Sequence, residues 1–221
     1  MDEIQAMRAK IADIGRMLFE RRLTDAAGGN VSARVGDKVC ITPRYAGQKH
    51  QWRLRPDQVL VCDLAGSQLE GEGETSRESK AHFRLYRDFP DGTAVIHCHA
   101  RNVLVFSAHD QPILPVIEAT WKFGEIQVVP FAPAHSQALA DYVAGAIQGQ
   151  EARIRKQAAA VIARWHGLFV LGRDLDAAFD AAERIDNNAR IILLSGALRA
   201  GIPLARERYA ALARDLAENE H

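Results

Sequence analysis

The stretch of sequence that decides the fold reads AHFRLYRDFPDGTAVIHCHA and covers residues 81–100. Its first part ends an amphipathic helix that is predicted to begin near Ser76 and to run to about Arg87. Pro90-Asp91-Gly92 has the composition of a turn, and Thr93–Ala100 has that of a strand. A helix that is joined by a tight turn to a strand is therefore the starting point of the fold prediction.

Helices and hairpin-connected strands flank this stretch on both sides. Further helices are predicted over 4–22, 136–147, 174–198 and 206–217, and further strands over 31–35, 39–42, 59–64, 127–130 and 159–171. Because there is no regular βαβ alternation, the pattern favours a layered α/β fold with much antiparallel pairing. Without a repeat or a linker, residues 1–221 are expected to form a single domain.

Charge and cysteine content argue against several classes of partner. Lys plus Arg equals Asp plus Glu at 28 each, so no net field attracts nucleic acid or an anionic membrane. No run reaches the roughly 18 apolar residues of a membrane span, and Met1-Asp2-Glu3 does not begin a secretory leader. Three cysteines without CxxC spacing indicate free thiols, so the expected location is the cytoplasm.

The strongest local signal for chemistry is the pair His97 and His99. In a strand, residues i and i+2 face the same side, so these imidazoles stand together while Cys98 faces away. Two neutral imidazoles at this spacing can share one metal ion. The alternative is two histidines with unrelated hydrogen bonds, and the pair alone does not decide between them.

A third ligand would complete a catalytic metal site that keeps one position open. His166 has the best setting because it lies between apolar runs and precedes Gly167, which lets the backbone turn sharply. Taken alone, it is also explained as a core histidine whose hydrogen bonds are satisfied.

Glu78 follows Ser76 at a predicted helix start, where backbone N–H groups favour an anion. The same pattern is typical of a helix N-terminus without catalysis. His82, four residues on, is interpreted as a packing or capping group on that helix.

A glycine-rich turn, Gly28-Gly29-Asn30-Val31-Ser32, leads into the first strand. Such turns can direct several N–H groups at a phosphate. Most of them only reverse the chain, and that alternative stays open.

Taken in order, these motifs resemble the class II aldolase/adducin family over about residues 5–198. The resemblance is carried by Gly28-Gly29-Asn30-Val31-Ser32, Ile41-Thr42-Pro43, Thr75-Ser76-Arg77-Glu78, His97-Cys98-His99 and Trp165-His166-Gly167. It implies a three-layer α/β/α sandwich with a central mixed, largely antiparallel sheet. It also implies a homotetramer with active sites at subunit interfaces.

The resemblance further implies the roles of individual residues. His97, His99 and His166 would hold Zn²⁺, or another divalent ion such as Mn²⁺, Co²⁺ or Fe²⁺, and Glu78 would be the acid/base. Adducin head domains share the fold but lack this metal set, which favours an enzyme here over an adducin-like binding module. The phosphate of a small substrate would be bound by residues that match the family's anion site: Gly29, Asn30, Thr42 and Ser76.

Three positions depart from the family pattern. Arg77 stands where a second serine is typical, and Arg44 stands near the place of a displaced glycine. A guanidinium binds phosphate and carboxylate equally well, so Arg77 is a candidate for the anionic end of either kind of substrate. Trp165 precedes the third histidine, where asparagine is common.

The reaction that the resemblance implies is cleavage of a ketose 1-phosphate to dihydroxyacetone phosphate and an aldehyde through a metal-stabilised enediolate. Dehydration, epimerisation and decarboxylation reach the same kind of enediolate, and family members carry out each. The work of Glu78 requires partial burial of its carboxylate. A second acid is expected from a neighbouring subunit, with Tyr209, His135 and Tyr142 as candidates.

Overall fold

The structure is a computed structural model that describes the backbone of residues 2–218 and the side chains of residues 2–199. Its helices are α1 Glu3–Glu20, α2 Ala46–His50, α3 Ser79–Asp88, α4 Arg101–Ala108, α5 Glu118–Trp121, α6 Gln137–Ile147, α7 Glu151–Lys156 and α8 Leu175–Glu218. Its strands are β1 Asn30–Val35, β2 Lys38–Ile41, β3 Leu60–Asp63, β4 Gln68–Glu70, β5 Ala94–Cys98, β6 Val128–Val129, β7 Ala158–Ala163 and β8 Gly167–Gly172. A 3-10 turn covers Pro56–Gln58.

One eight-stranded sheet runs through the centre in the order β4-β3-β2-β1-β5-β8-β7-β6. Neighbouring strands are antiparallel except for β6 and β7, which are parallel. Apolar side chains of α1, α4 and α8 pack on one face, and those of α3, α6 and α7 pack on the other. The predicted three-layer α/β/α sandwich with a mixed, largely antiparallel sheet is confirmed.

The central strands are covered on both faces, and this burial explains their composition. Every residue of β5, β7 and β8 is buried, so apolar residues follow one another, with His97 as the one polar residue of these three strands. Cys98 packs in the core on the α8 side of the sheet, while Val95 packs on the α3 side. His97, which is two residues from Val95, therefore faces the α3 side.

Three differences from the predicted boundaries are larger than one or two residues. Residues 159–171 are two strands, β7 and β8, because the chain reverses between them at residues 164–166. Helix α3 begins at Ser79 and not near Ser76, and Glu78 is its N-cap. The expected break after residue 198 is wrong at the level of the backbone, because α8 continues through Pro203; a helix can continue past a proline at the cost of one hydrogen bond.

None of the helices in the described residues combines the length and the apolar character that crossing a bilayer would need.

Candidate active site

The structure brings the three predicted ligand histidines together at one edge of the sheet. His97 lies on β5, His99 follows the end of that strand, and His166 lies in the turn between β7 and β8. Their ring centroids are 4.6 Å apart for His97 and His166, 5.2 Å for His97 and His99, and 5.7 Å for His99 and His166. One ring nitrogen of each lies within 4.8 Å of those of the other two.

The free nitrogen atoms of this cluster fit a metal ion. The Nδ1 atom of His97 donates to the carbonyl oxygen of Leu168 at 3.0 Å, so its Nε2 carries a lone pair. That Nε2, the Nε2 of His99 and the Nδ1 of His166 are buried and have no partner among the described residues. Burial lowers the pKa of His97 well below its usual value, as do the neighbouring His166 and His99. Burial also lowers the pKa of His166. Neutral, convergent imidazoles are the ligand state that a divalent ion requires.

Side chains around the ligands hold them in place. Asp25 Oδ1 lies 3.2 Å from Nδ1 of His99 and also accepts from the backbone N–H groups of Ala27 and Gly28. The hydroxyl of Ser107 accepts from the backbone N–H of His166 at 3.1 Å. A carboxylate that accepts from the second nitrogen of a ligand histidine fixes its orientation and raises its basicity. Sequence reasoning missed Asp25 and Ser107, because each is far in the chain from the histidine that it supports.

Two glycines are needed where the backbone passes close to the ligands. A Cβ atom on Gly28 would lie 2.3 Å from Cε1 of His99. A Cβ atom on Gly167 would lie 2.6 Å from the carbonyl oxygen of Cys98. The predicted reason for Gly167, a sharp backbone turn, is wrong. The left-handed position in that turn belongs to Trp165, with φ of 57°.

Glu78 presents its carboxylate to the histidine cluster. Its Oε1 lies 3.9 Å from Nε2 of His166, and its side chain is 13% exposed. Its Oε2 accepts from Nδ2 of Asn30 at 2.7 Å and from the hydroxyl of Ser76 at 2.6 Å. Although Glu78 is the N-cap of α3, its carboxylate does not cap that helix. Complementing the helix dipole therefore does not account for the direction of this side chain.

A cavity of about 340 Å³ opens beside the cluster. Its walls include two histidines of the cluster, His99 and His166. They also include Arg44 and three of the residues predicted to bind an anion, Gly29, Ser76 and Arg77. Arg77 is exposed and has no hydrogen-bond partner among the described residues. The guanidinium of Arg44 is paired with Glu74 at 2.6 Å.

Two of the predicted anion ligands, Asn30 and Thr42, do not line the cavity. Asn30 is buried, and its Nδ2 donates to Glu78 and Ser76. Thr42 is fully buried, and its hydroxyl accepts from the backbone N–H of Val31 at 3.1 Å. Thr42 thus ties β2 to β1 behind the glycine turn, and it does not line the cavity.

The three candidates for a second acid differ in how close they lie to the cavity and in whether the structure describes their side chains. His135 is exposed and follows Ala134, which lines the cavity. Tyr142 is 41% exposed on α6. Tyr209 lies outside the residues whose side chains the structure describes.

Removing the carboxylate of Asp25 should weaken metal binding without removing a ligand. We expect Asp25→Ala to lower the affinity for Zn²⁺ by about 10–100-fold, the usual effect of losing such a partner. Asp25→Asn keeps an acceptor but not the charge, so its affinity should be intermediate. Competition with a chromophoric chelator measures both, with Asp13→Asn, an exposed carboxylate of α1, as control. Wild-type affinity in Asp25→Ala would contradict this role.

Known proteins resemble this chain over most of its length. Residues 9–193 match the sequence profile of the Class II Aldolase and Adducin N-terminal domain. An L-fuculose phosphate aldolase of Methanococcus maripaludis is 28% identical, with 80% of this chain and 91% of the relative covered. A 3-oxo-tetronate 4-phosphate decarboxylase of Haemophilus influenzae is 26% identical, with 84% of this chain and 86% of the relative covered.

The fold is shared with a solved structure of an L-fuculose 1-phosphate aldolase. It superimposes with a TM-score of 0.75 at 24% identity and covers 87% of each chain.

Proposed function

The chain belongs to the class II aldolase and adducin family, and on this basis we propose that it is a metal-dependent aldehyde-lyase that cleaves a ketose 1-phosphate to dihydroxyacetone phosphate and an aldehyde. The observation that carries the proposal is the carboxylate of Glu78 at 3.9 Å from His166, beside three histidines that each bring one ring nitrogen within 4.8 Å of the other two. Neither a helix N-terminus nor a satisfied core histidine requires this juxtaposition.

His97, His99 and His166 would hold the metal ion, with Zn²⁺ as the first candidate and Mn²⁺, Co²⁺ or Fe²⁺ as alternatives. A divalent ion bound there supplies a Lewis acid for the carbonyl and hydroxyl oxygens of the substrate. Asp25 and the carbonyl oxygen of Leu168 orient two of the ligands.

Glu78 would move the proton on carbon. In the cleavage direction the C4 hydroxyl gives its proton to the second acid–base group, for which His135, Tyr142 and Tyr209 are the candidates. The C3–C4 bond breaks with its electron pair passing to carbon 3, and carbon 3 gains a proton from the Glu78 carboxyl group. Asn30 and Ser76 donate to one oxygen of this carboxylate and leave the other on the side of His166. General acid–base groups held in this way contribute about 10²–10⁴-fold to the rate.

The anionic end of the substrate would lie at the turn that contains Gly29 and Asn30, with Ser76 and Arg77 opposite. Among the described residues Arg77 is free of protein partners and lines the cavity, whereas Arg44 is held by Glu74. Thr42 would act indirectly, by fixing the strand that follows the turn.

Replacing Arg77 should change substrate binding and not the metal. We expect Arg77→Ser to raise KM by about 10-fold or more, since a hydrogen bond to a charged group contributes about 1.5–3 kcal/mol. Arg77→Lys keeps the charge but loses the bidentate geometry, so its KM should lie between the two. Steady-state kinetics with metal content measured in parallel provide the test. Unchanged KM on every active substrate would exclude Arg77 from the anion site.

Decarboxylation of a β-keto acid phosphate is the second candidate reaction. Similarity to a 3-oxo-tetronate 4-phosphate decarboxylase favours it, and the guanidinium at position 77 binds a carboxylate as readily as a phosphate. Dehydratase and epimerase activities use the same groups, while a non-catalytic adducin-like role would leave the three histidines without a purpose.

A substrate panel separates these reactions. Ketose 1-phosphates are assayed for release of dihydroxyacetone phosphate, and 3-oxo acid phosphates for release of carbon dioxide, with the metal-loaded protein. We expect dihydroxyacetone phosphate from at least one ketose 1-phosphate. Carbon dioxide alone would replace the aldolase proposal with the decarboxylase, and no product from any substrate would contradict both.

The proposal includes a homotetramer of single-domain subunits, each covering residues 1–221, in the cytoplasm. Three free, buried cysteines support a reducing compartment. Exposed aromatic side chains support self-association, because Trp165 is 64% exposed and lies against the exposed Phe131, with the two rings tilted by 38° and their centroids 5.4 Å apart. No nucleic-acid or membrane partner is proposed.

Sedimentation measures the oligomeric state at assay concentration. We expect one species of about four chains with activity, because active sites at subunit interfaces need the assembled form. An active monomer would contradict this part of the proposal.

A further inference from the structure

Strand β1 and helix α3 are joined by hydrogen bonds at two levels. At the first level Asn30 of β1 donates to Glu78 at the start of α3, with Nδ2 to Oε2 at 2.7 Å. At the second level Ser32, which lies two residues along β1 and on the same face, meets His82, one turn along α3. Two residues along β1 and one turn along α3 therefore cover similar distances, so that a residue of the strand meets a residue of the helix at both levels.

The second level is a buried polar chain that reaches no solvent. The hydroxyl of Ser32 lies 2.7 Å from Nδ1 of His82 and 2.6 Å from the hydroxyl of Tyr86. Ser32 and His82 are fully buried, and Tyr86 is almost so. We call these three residues the α3 anchor. Because the Ser32 hydroxyl has one proton, it donates to at most one of these neighbours and accepts from the rest.

A buried histidine at position 82 lowers the stability of the fold relative to an apolar residue. Its Nε2 atom is buried and has no partner among the described residues. Burial also lowers the pKa of His82 to about 3, so the ring stays neutral at physiological pH. An apolar side chain of similar size would avoid the orphaned nitrogen and would favour folding.

The same ring is linked to the metal cluster through one aromatic side chain. His82 meets the ring of Phe169 edge to face, with centroids 6.5 Å apart. Phe169 in turn stacks on His97 at 4.2 Å and is its register partner between β8 and β5. The α3 anchor thus includes two residues of the helix whose N-cap is Glu78, and it contacts Phe169, the ring that stacks on His97.

We infer that His82 is a positioning residue that sets the place of the Glu78 carboxylate relative to the metal ligands. Through Ser32 it fixes the height of α3 along β1, and Glu78 is one helical turn away. The inference rests on the proposed function for its kinetic consequence. Misplacement of a reacting group by about 1 Å can cost about 10²-fold in rate.

The test compares His82→Leu with His82→Asn. Leucine removes the hydrogen bond to Ser32, whereas the asparagine side chain places a polar atom near the position of Nδ1. We expect His82→Leu to lower kcat by about 10²-fold, the effect of misplacing a reacting group by about 1 Å, with KM and metal content unchanged and a melting temperature no lower than wild type. His82→Asn should recover most of kcat. A purely structural role predicts the reverse, namely a lower melting temperature with normal kcat, and that result would overturn the inference.

Two further variants keep the test decisive. Ser32→Ala cuts the α3 anchor at its shared atom, so it should show the same loss of kcat if His82→Leu fails to fold. Thr120→Val is the matched control, because Thr120 is a buried, hydrogen-bonded residue against Asn188 of α8, and we expect it to affect melting temperature only. Loss of metal in His82→Leu, or normal kcat in Ser32→Ala, would contradict the inference.

A crystal structure of His82→Leu provides a readout that needs no substrate. We expect the Glu78 Oε1 to His166 Nε2 distance to differ from the wild-type value by about 1 Å, with the three histidines unmoved. If the wild type turned over none of the panel, the proposed function would fail, but this distance would still decide the role of His82. An unchanged distance would overturn it.

Discussion

Glu78→Gln should lower turnover by about 10²–10⁴-fold, the usual contribution of a general acid–base group. Glutamine preserves the shape of the side chain and an oxygen that can accept from Asn30 and Ser76, but it does not transfer a proton. Metal should remain bound, because three histidines are enough to hold it. Single-turnover and steady-state kinetics on the best panel substrate measure the change.

A second carboxylate controls for effects on helix stability. Glu78 and the exposed Glu3 both stand at helix starts, and complementing the dipole there contributes about 0.3–1 kcal/mol. Both Glu78→Gln and Glu3→Gln should therefore lower the melting temperature slightly, but only the first should lose turnover. Near-normal turnover in Glu78→Gln would mean that Glu78 merely begins α3, and the mechanism proposed above would have to be abandoned.

Loss of a ligand histidine should have the second large effect. We expect His97→Ala and His166→Ala to lower the affinity for Zn²⁺ by more than the roughly 100-fold upper range that outer partners show. Activity should follow metal occupancy, so it should be nearly absent at metal concentrations well below the new dissociation constant. Elemental analysis after dialysis, together with chelator competition, measures both variants.

His109→Ala is the matched control for these substitutions. His109 is exposed at the end of α4. Its removal therefore tests whether the loss of a histidine outside the cluster also lowers the amount of bound metal. Full metal occupancy in both His97→Ala and His166→Ala would show that the three-histidine site is wrong. Loss of metal in His109→Ala would point to binding outside the cluster.

Local patterns were enough to predict much of the fold. The hairpin of β1 and β2, strand β5 and helix α6 with Ser136 as N-cap follow residue spacing closely. They do so because turn chemistry and capping are properties of a few neighbouring residues. The three histidines and Glu78 were also predicted to form a site. Only the order of the motifs along the whole chain distinguished them from core histidines and from a glutamate that merely begins a helix.

The turn between β7 and β8 could not be predicted from composition. Of its residues Arg164, Trp165 and His166, histidine adopts φ > 0 most readily, and yet it is Trp165 that has φ of 57°. Asparagine tolerates this conformation better than tryptophan does, which gives a physical reason for the asparagine that the family commonly has there. The backbone N–H of Trp165 donates to the carbonyl oxygen of Ser107 at 3.2 Å, and its ring lies against that of Phe131.

The supports of the site needed three-dimensional information. Asp25 and His99 are 74 residues apart, and Ser107 and His166 are 59 residues apart. No local pattern reports a pairing over such a separation. His82 was interpreted as a packing or capping group, and its burial is evident only once Ser32, Tyr86 and Phe169 surround it.

Activity as a function of bound metal tests the proposed metal enzyme most directly. The protein is stripped with a chelator, Zn²⁺ is returned in known equivalents, and release of dihydroxyacetone phosphate from the best ketose 1-phosphate is followed at each addition. We expect activity to be absent at the start, to rise in proportion to the metal and to level off at about one ion per chain. Full activity in the metal-free protein, or none at any loading, would contradict a metal-dependent lyase built on His97, His99, His166 and Glu78.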